Sequence, residues 1–332
     1  MADEGVRAAK AVHEADILDR RNVVGVAVGR KVTAGLETEE TCIVVYVERK
    51  EDERRLRRRD LVPRALDGVR TDVVETGRFR ALELLETLEV SHTARLRPAP
   101  GGVSIAHERV TAGTLGILAK RLSGEAVILS NNHVLANSND ARPGDRILQP
   151  GPYDGGRPED AIADLIEFIP IQFREREVNR FGRIIERALE PLLAPIGLGV
   201  RRLPSGKTNA VDAAVARPLS PDLVAPDVLE IGRVAGTIEP GLGVRVKKSG
   251  RTTGLTRGRI TALDASVEVD YGGRSALFRD QVVSDIVSRG GDSGSLIVSE
   301  DNQAVGLLFA GGATTTILNP IGAVLAALRL RL

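Results

Sequence analysis

Cysteine is almost missing from this sequence: of 332 residues, only Cys42 carries a thiol. An internal disulfide is therefore excluded, and so is a zinc site built on cysteine pairs. A reducing compartment is the natural home of such a chain, so a cytoplasmic location is expected. There is no surplus of charge either, with 46 Lys and Arg against 45 Asp and Glu and a net charge of +1. That balance makes no electrostatic case for nucleic acid or an anionic membrane as a partner. No apolar run approaches the length of a membrane span. The opening "MADEGVRAAKAVHEAD" mixes charges and lacks the apolar core of a signal peptide. No His-Glu-x-x-His occurs, so neither a metal nor another cofactor is expected.

What is plentiful is glycine, 35 residues, between short runs of Val, Ile and Leu, while aromatics make up only 3%. That texture predicts a turn-rich β architecture. Residues 5–19 carry Val6, Ala9, Val12 and Ile17 at helical spacing. "NVVGVAVGRKV" and "TCIVVYVERK" predict two strands, "DLVPRALDGVRTDVVETG" a turn and a third strand, and "ALELLETL" a short helix. Residues 1–93 are therefore expected to form a small α/β domain, with regulation or assembly as its expected role. Residues 94–102, with two prolines and two glycines, form a linker. From 103 to 332, strand signals recur at roughly ten-residue spacing, the pattern of an all-β barrel or sandwich. Two helices interrupt or close this body. One is an insertion at about 174–196, whose bland role is packing and whose sharper role is an oligomer contact or a lid. The other is terminal, with Asn319 as its cap and Pro320 as its first residue.

The segment "SRGGDSGSLIV" (288–298) runs from a glycine-rich turn into an apolar strand. By itself it is an ordinary turn. A nucleophilic serine needs a base, a group to orient the base, and donors for an oxyanion. Four histidines are available: His13, His92, His107 and His133. His133, in "VILSNNHVLAN", follows a strong strand among polar residues, which would hold it while leaving it accessible; His107 in "SIAHERV" is the rival. Asp212 opens the small-residue stretch "DAAVARP", where a buried carboxylate requires a partner. Asp160 and Asp164 in "EDAIADL" compete, but they follow His133 too closely for several strands to intervene. Gly290 and Gly291 give the backbone freedom to turn the N–H groups of Gly291 and Ser293 toward one point.

"SNNHVLA", "DAAVA" and "GGDSGS" stand in the order His, Asp, Ser. This resembles the chymotrypsin-like (trypsin-like) serine peptidases. The segments "LSNNHVLAN", "ILQPGPYDGG" and "KSGRTTGLTRG" resemble, more closely, the disulfide-free branch that includes the plant NARROW LEAF 1 protein and bacterial relatives. The resemblance covers about 103–330. It implies a mainly β, two-barrel chymotrypsin-like fold with a C-terminal helix and the site in the cleft between barrels. Ser293 would be the nucleophile, His133 the general base and Asp212 its orienter. Gly291 and Ser293 would form the oxyanion hole, and Asp292 would shape the loop. The substrate pocket would be flanked by Val287, Ser288 and Arg289 and by Leu308, Phe309 and Ala310. None of these is an acid, so an apolar P1 side chain is expected. Two departures stand out: Ser295 replaces the usual second glycine, and "NNHV" replaces the usual Ala-Ala-His-Cys. The function implied is a serine endopeptidase acting on proteins or peptides, able to form a homo-oligomer. The alternative is a latent or non-cleaving peptide-binding scaffold on the same fold.

Other motifs are weaker. "PSGKT" lacks the first glycine of a phosphate loop, because Arg201 stands there. "ERRLRRRD" is flanked by acids and reads as a solvated face. "SGRTTGLTRG" reads as a hairpin turn.

Overall fold

The structure is a computed structural model that describes residues 2–33, 36–81, 90–174, 208–312 and 314–332. The insertion expected at about 174–196 lies, from residue 175 onward, outside the described residues, and so does "LELLETL".

The architecture is mainly β, as expected, in two bodies. In the C-terminal body, Ser275–Ser284, Thr316–Pro320, Ala304–Gly311, Leu296–Ser299, Arg245–Gly250 and Gly254–Asp270 pair in that order. The last of these also pairs with the first, which closes the ring into a barrel. Closure removes the edges that an open sheet would expose. Its interior holds Val246, Ile260, Val282, Ile297, Val305, Leu308 and Leu318.

The other body is an open sheet of eight strands among the described residues. Its centre is Ile117–Arg121, Ala126–Ser130, Ala214–Pro218 and Ala161–Phe168, all paired antiparallel. Ile105, Leu115, Ile128, Leu135, Ile147 and Leu165 fill its core. Ala99–Gly101, in the stretch expected as a linker, forms a strand beside Val224–Val228. The helix Ile321–Leu328 buries Ile321, Val324 and Leu328 in a cluster that also takes Ile117, Leu129, Val215, Leu296 and Leu307, so it seals the seam between the bodies.

One correction concerns the start of that helix. Asn319 does not cap it; Pro320 occupies the cap position. Asn319 still belongs to the strand Thr316–Pro320, paired with Leu307. Its side chain instead accepts from the backbone N–H of Asp212 (3.0 Å) and donates to Gln281 (2.6 Å).

The N-terminal helix spans Ala2–Leu18. It buries Val6, Ala9 and Ile17, but Val12 is 60% exposed. The buried stripe runs through Lys10 instead, one turn from Val6, whose ammonium reaches Glu14 at 2.8 Å. Strands Val23–Thr33 and Leu36–Val47 alternate their faces. Val26, Val28, Ile43 and Val45 lie under the helix, while Ala27, Cys42, Val44 and Tyr46 join Val267, Val269, Phe278 and Phe309. The sheet is continuous, because Val23–Thr33 pairs antiparallel with Gly254–Asp270 of the barrel. No described helix is long and apolar enough to cross a membrane.

Candidate active site

His133 lies in a one-turn helix, Asn132–Leu135, directly after the strand Ala126–Ser130. The flanking asparagines explain its placement. Asn131 donates to the Asp212 carbonyl (2.7 Å), while Asn132 donates to Asn139 and to the Ile169 carbonyl (2.8 Å each). The helix is thereby tied to both neighbouring segments.

Asp212 is fully buried just before the strand Ala214–Pro218. Its Oδ2 faces Nδ1 of His133 at 2.6 Å, and its Oδ1 accepts from the His133 backbone N–H at 3.3 Å. A carboxylate only accepts, so Nδ1 is the donor, and in the neutral imidazole Nε2 then carries the lone pair. Nε2 is buried without a hydrogen-bond partner among the described residues. A buried polar atom left unpaired is costly, and this one is available as a proton acceptor.

A third donor reaches the same carboxylate. The Tyr271 hydroxyl, at the end of the Gly254–Asp270 strand, donates to Asp212 Oδ2 at 2.8 Å. Burial, and then the neighbouring Asp212, hold this phenol well above its ordinary range, so it remains a donor. Its ring stands edge-on to His133, 5.8 Å between centroids. Sequence reading missed Tyr271, because it lies 59 residues from Asp212 and in the other body.

Ser293 is almost fully buried, in a loop shaped by two left-handed glycines, Gly291 (φ 93°) and Gly294 (φ 95°). A side chain at Gly294 would run into Ser130 Oγ and the Thr114 carbonyl. Thr114, from the eight-stranded body, docks the loop. Its N–H donates to the Ser293 carbonyl and its hydroxyl to the Gly291 carbonyl, both at 2.8 Å. Ser130 in turn donates to the Thr114 carbonyl at 2.8 Å, linking the serine loop to the strand that leads to His133.

The N–H groups of Gly291 and Ser293 have no acceptor among the described residues. The Gly290 carbonyl is held away by the Thr252 hydroxyl at 2.6 Å. The Ser293 hydroxyl donates to the Phe309 carbonyl at 3.4 Å rather than to His133.

Asp292 holds the loop from behind. Its carboxylate accepts from the N–H groups of Thr252 (2.9 Å), Thr253 (3.1 Å) and Arg289 (2.9 Å) and from the Thr253 hydroxyl (2.7 Å). Lys248, also fully buried, stands 3.5 Å away. Burial pushes the Lys248 ammonium below its ordinary range, and Asp292 pulls it back. The hairpin turn 251–253 is thus wedged against the serine loop. Arg251 continues this wedge across the seam: it forms a bidentate ion pair with Asp154 of the other body, which Ser104 also contacts. A Cβ at Gly291 would lie 3.0 Å from the Arg251 Cδ.

The residues expected around the pocket divide by face. Phe309 and Ala310 pack in a cluster with Tyr271 and Phe278, whereas Leu308 points into the barrel interior. Val287 is exposed, Ser288 bonds Thr316 (2.7 Å), and Arg289 anchors on Asp292 through its backbone. The rival residues are engaged elsewhere. His107 is buried against Asp145 (3.1 Å), Asp160 binds Arg95 (2.7 Å), and Asp164 binds Arg146 (2.9 Å). His92 faces Glu230 and His13 faces Asp67. No group of metal-ligating side chains occurs among the described residues.

No family model matches the chain, and neither does any curated protein. Among solved structures, it is similar to a chymotrypsin of Cellulomonas bogoriensis, with a TM-score of 0.43 and 19% identity over 70% of this chain and 97% of that one. It is also similar to a Nocardiopsis protease, NAPase, with a TM-score of 0.44 and 18% identity over 70% and 98% of the two chains. A glutamic acid-specific serine protease gives a TM-score of 0.46 and 18% identity over 70% and 100%.

Proposed function

We propose that this protein is a serine endopeptidase in which His133 acts on Ser293, oriented by Asp212. The observation that supports the reading is a pair of unmet groups on adjacent segments, which Thr114 and Ser130 tie together. Among the described residues, His133 is fixed by a buried carboxylate with Nε2 unpartnered, and the Gly291 and Ser293 N–H groups, two residues apart on the neighbouring loop, are likewise without acceptors. Each group is short of one partner: a bound peptide carbonyl would accept from the two N–H groups, and the Ser293 hydroxyl, once turned, would donate to Nε2. "LSNNHVLAN", "ILQPGPYDGG" and "KSGRTTGLTRG" support placing it with the branch that includes NARROW LEAF 1.

In the reaction, the Ser293 hydroxyl leaves the Phe309 carbonyl and turns to His133. Nε2 takes its proton as Oγ bonds to the substrate carbonyl carbon, and the carbonyl oxygen becomes the oxyanion. The Gly291 and Ser293 N–H groups receive that charge; a single such donor is worth roughly 2.7–4 kcal/mol of barrier. Asp212 stabilises the imidazolium, and Tyr271 and the Asn319 contact hold Asp212 in place. The C–N bond then breaks, and the leaving amine takes the proton from His133. Water repeats the steps in reverse and frees Ser293. General-base assistance contributes roughly 10²–10⁴-fold.

Without substrate the Ser293 hydroxyl is bonded to the Phe309 carbonyl, so it has to rotate before it meets His133. A fluorophosphonate probe tests the assignment. Wild type should be labelled at Ser293 and Ser293→Ala not at all; equal labelling of the two would refute it.

A further inference from the structure

The strand Ala304–Gly311 has two edges. One pairs with Thr316–Pro320 along its length. The other pairs with Leu296–Ser299 as far as Leu307 and then meets the serine loop. There the Gly294 N–H donates to the Leu308 carbonyl (2.9 Å), the Leu308 N–H to the Ser295 carbonyl (3.0 Å), and the Ser293 hydroxyl to the Phe309 carbonyl (3.4 Å). Past Phe309 this edge continues with Ala310 and Gly311. An extended peptide that joins a sheet edge gains main-chain hydrogen bonds, and one added here would lie beside Ser293.

That edge is already taken by the chain itself. Arg80 pairs with Gly311 and Ala81 with Ala310, antiparallel. Arg80 also pairs with Asp270, whose N–H donates to the Phe79 carbonyl at 3.1 Å. Phe79 anchors the segment: it is fully buried among Tyr46, Tyr271, Phe278, Phe309 and Ala310. Just before it, the Thr76 carbonyl closes on Gly312, where an added Cβ would lie only 2.5 Å from that oxygen. The segment is therefore held firmly at Phe79, while among the described residues its pairing with the site strand rests on two, Arg80 and Ala81.

We propose that Arg80–Ala81 is a built-in occupant of the substrate edge, and that a peptide substrate binds once this short strand has left Ala310 and Gly311. The proposal rests on the peptidase reading and assigns its regulation to the N-terminal segment. The ligand that displaces the strand is an extended peptide, since only a backbone can replace the same antiparallel pairing. A site that is vacant one-tenth of the time binds its ligand about tenfold more weakly.

Two measurements on the full chain test this. First, wild type and Ala81→Pro are compared, since proline at 81 removes an N–H and disfavours edge pairing. Acetyl-Ala-Ala-Ala-Leu p-nitroanilide reads peptide hydrolysis, and a fluorophosphonate reads Ser293 without needing the edge. The variant should gain about tenfold in kcat/KM, with labelling changed less than twofold. Normal labelling with no gain in hydrolysis overturns the proposal. Absence of labelling in both proteins refutes the peptidase reading instead. Second, amide hydrogen exchange of the wild type is followed with saturating acetyl-Ala-Ala-Ala-Leu amide. This measurement needs neither catalysis nor a folded variant. Displacement raises exchange at Arg80 and Ala81 while Ala310 and Gly311 stay protected. Unchanged exchange at 80–81 overturns the proposal.

Discussion

The ion pair between Arg251 and Asp154 joins the two bodies directly behind the Ser293 loop, and its removal should be felt in both stability and reactivity. Both side chains are nearly buried, at 4% and 6% exposure. The guanidinium engages Asp154 with two nitrogens and bonds Thr252 through a third at 3.0 Å. In Arg251→Met the carboxylate stays buried and keeps only the Ser104 hydroxyl. Stranding one partner of a buried pair costs about 3–5 kcal/mol, and the Ser104 bond offsets about 1 kcal/mol of it. A loss of about 3 kcal/mol remains. At roughly 2–4 °C per kcal/mol for a chain of this size class, the melting temperature should fall by about 6–12 °C. Replacing both partners, as Arg251→Met with Asp154→Leu, removes the stranded charge and should restore most of that loss, because apolar replacements of buried pairs are often near neutral. Urea denaturation of the four members of the cycle measures the coupling, expected at about 2 kcal/mol. A coupling below about 0.5 kcal/mol would show that the pair holds nothing together. Fluorophosphonate labelling of Arg251→Met should slow as well, because the Arg251 stem packs against Gly291.

Tyr271→Phe keeps the ring contacts with His133 and Phe278 but removes the donor to Asp212. A hydrogen bond to a charged group is worth about 1.5–3 kcal/mol, so kcat/KM should fall by about tenfold or more with KM little changed. A fall in melting temperature at constant kcat/KM would mean that Tyr271 serves packing alone. Gly294→Ala should abolish labelling and cost more than about 2 kcal/mol, since Ser130 and Thr114 occupy the space and φ is 95°; a labelled, stable variant would contradict the geometry. Alkaline pH should unfold the protein. Burial, and then Asp72, push the Cys42 thiol from 9.0 up to about 12, while burial raises Tyr46 and Tyr271 above 10.0. These groups are held neutral when folded, so the stability they carry is complete below their ordinary values and declines as pH rises from about 9 to 12. Cys42→Ala should flatten the decline in chemical denaturation curves across that window, and an unchanged slope would sink the assignment.

Much of the barrel was readable from the chain alone, because alternating apolar residues and glycine-rich turns are local signals. The glycines around Ser293, the histidine after a strand and the aspartate opening another are local in the same sense, and they drew attention to three positions far apart in sequence. Local signals misled where a longer contact won. Asn319 and Pro320 look like a helix start, yet strand pairing with Leu307 and the Asp212 N–H claim Asn319. Val12 fits a helical stripe with Ile17, but contact with the sheet beneath selects Lys10 instead.

Only tertiary structure decided who partners whom. Tyr271, Thr114, Arg251 and Asp154 are polar residues in turns or at strand ends, and nothing in their neighbours marks them. Their roles come from strand order, which brings the 251–253 hairpin and Thr114 together against one loop, where the Arg251 N–H donates to the Thr114 hydroxyl at 3.0 Å. The same holds for Arg80–Ala81, two residues without periodicity that find Ala310 and Gly311 because Phe79 is buried beside them. The sequence by itself supplied the candidates: the Ser293 hydroxyl and its flexible glycines, His133 with His107 as rival, and Asp212 with Asp160 and Asp164 as rivals. The fold determined that the imidazole meets the carboxylate, that the hydroxyl rests on a carbonyl, and that the chain's own strand lies along the adjacent edge. The reason is that hydrogen bonds act over about 3 Å, and only long-range pairing sets such distances.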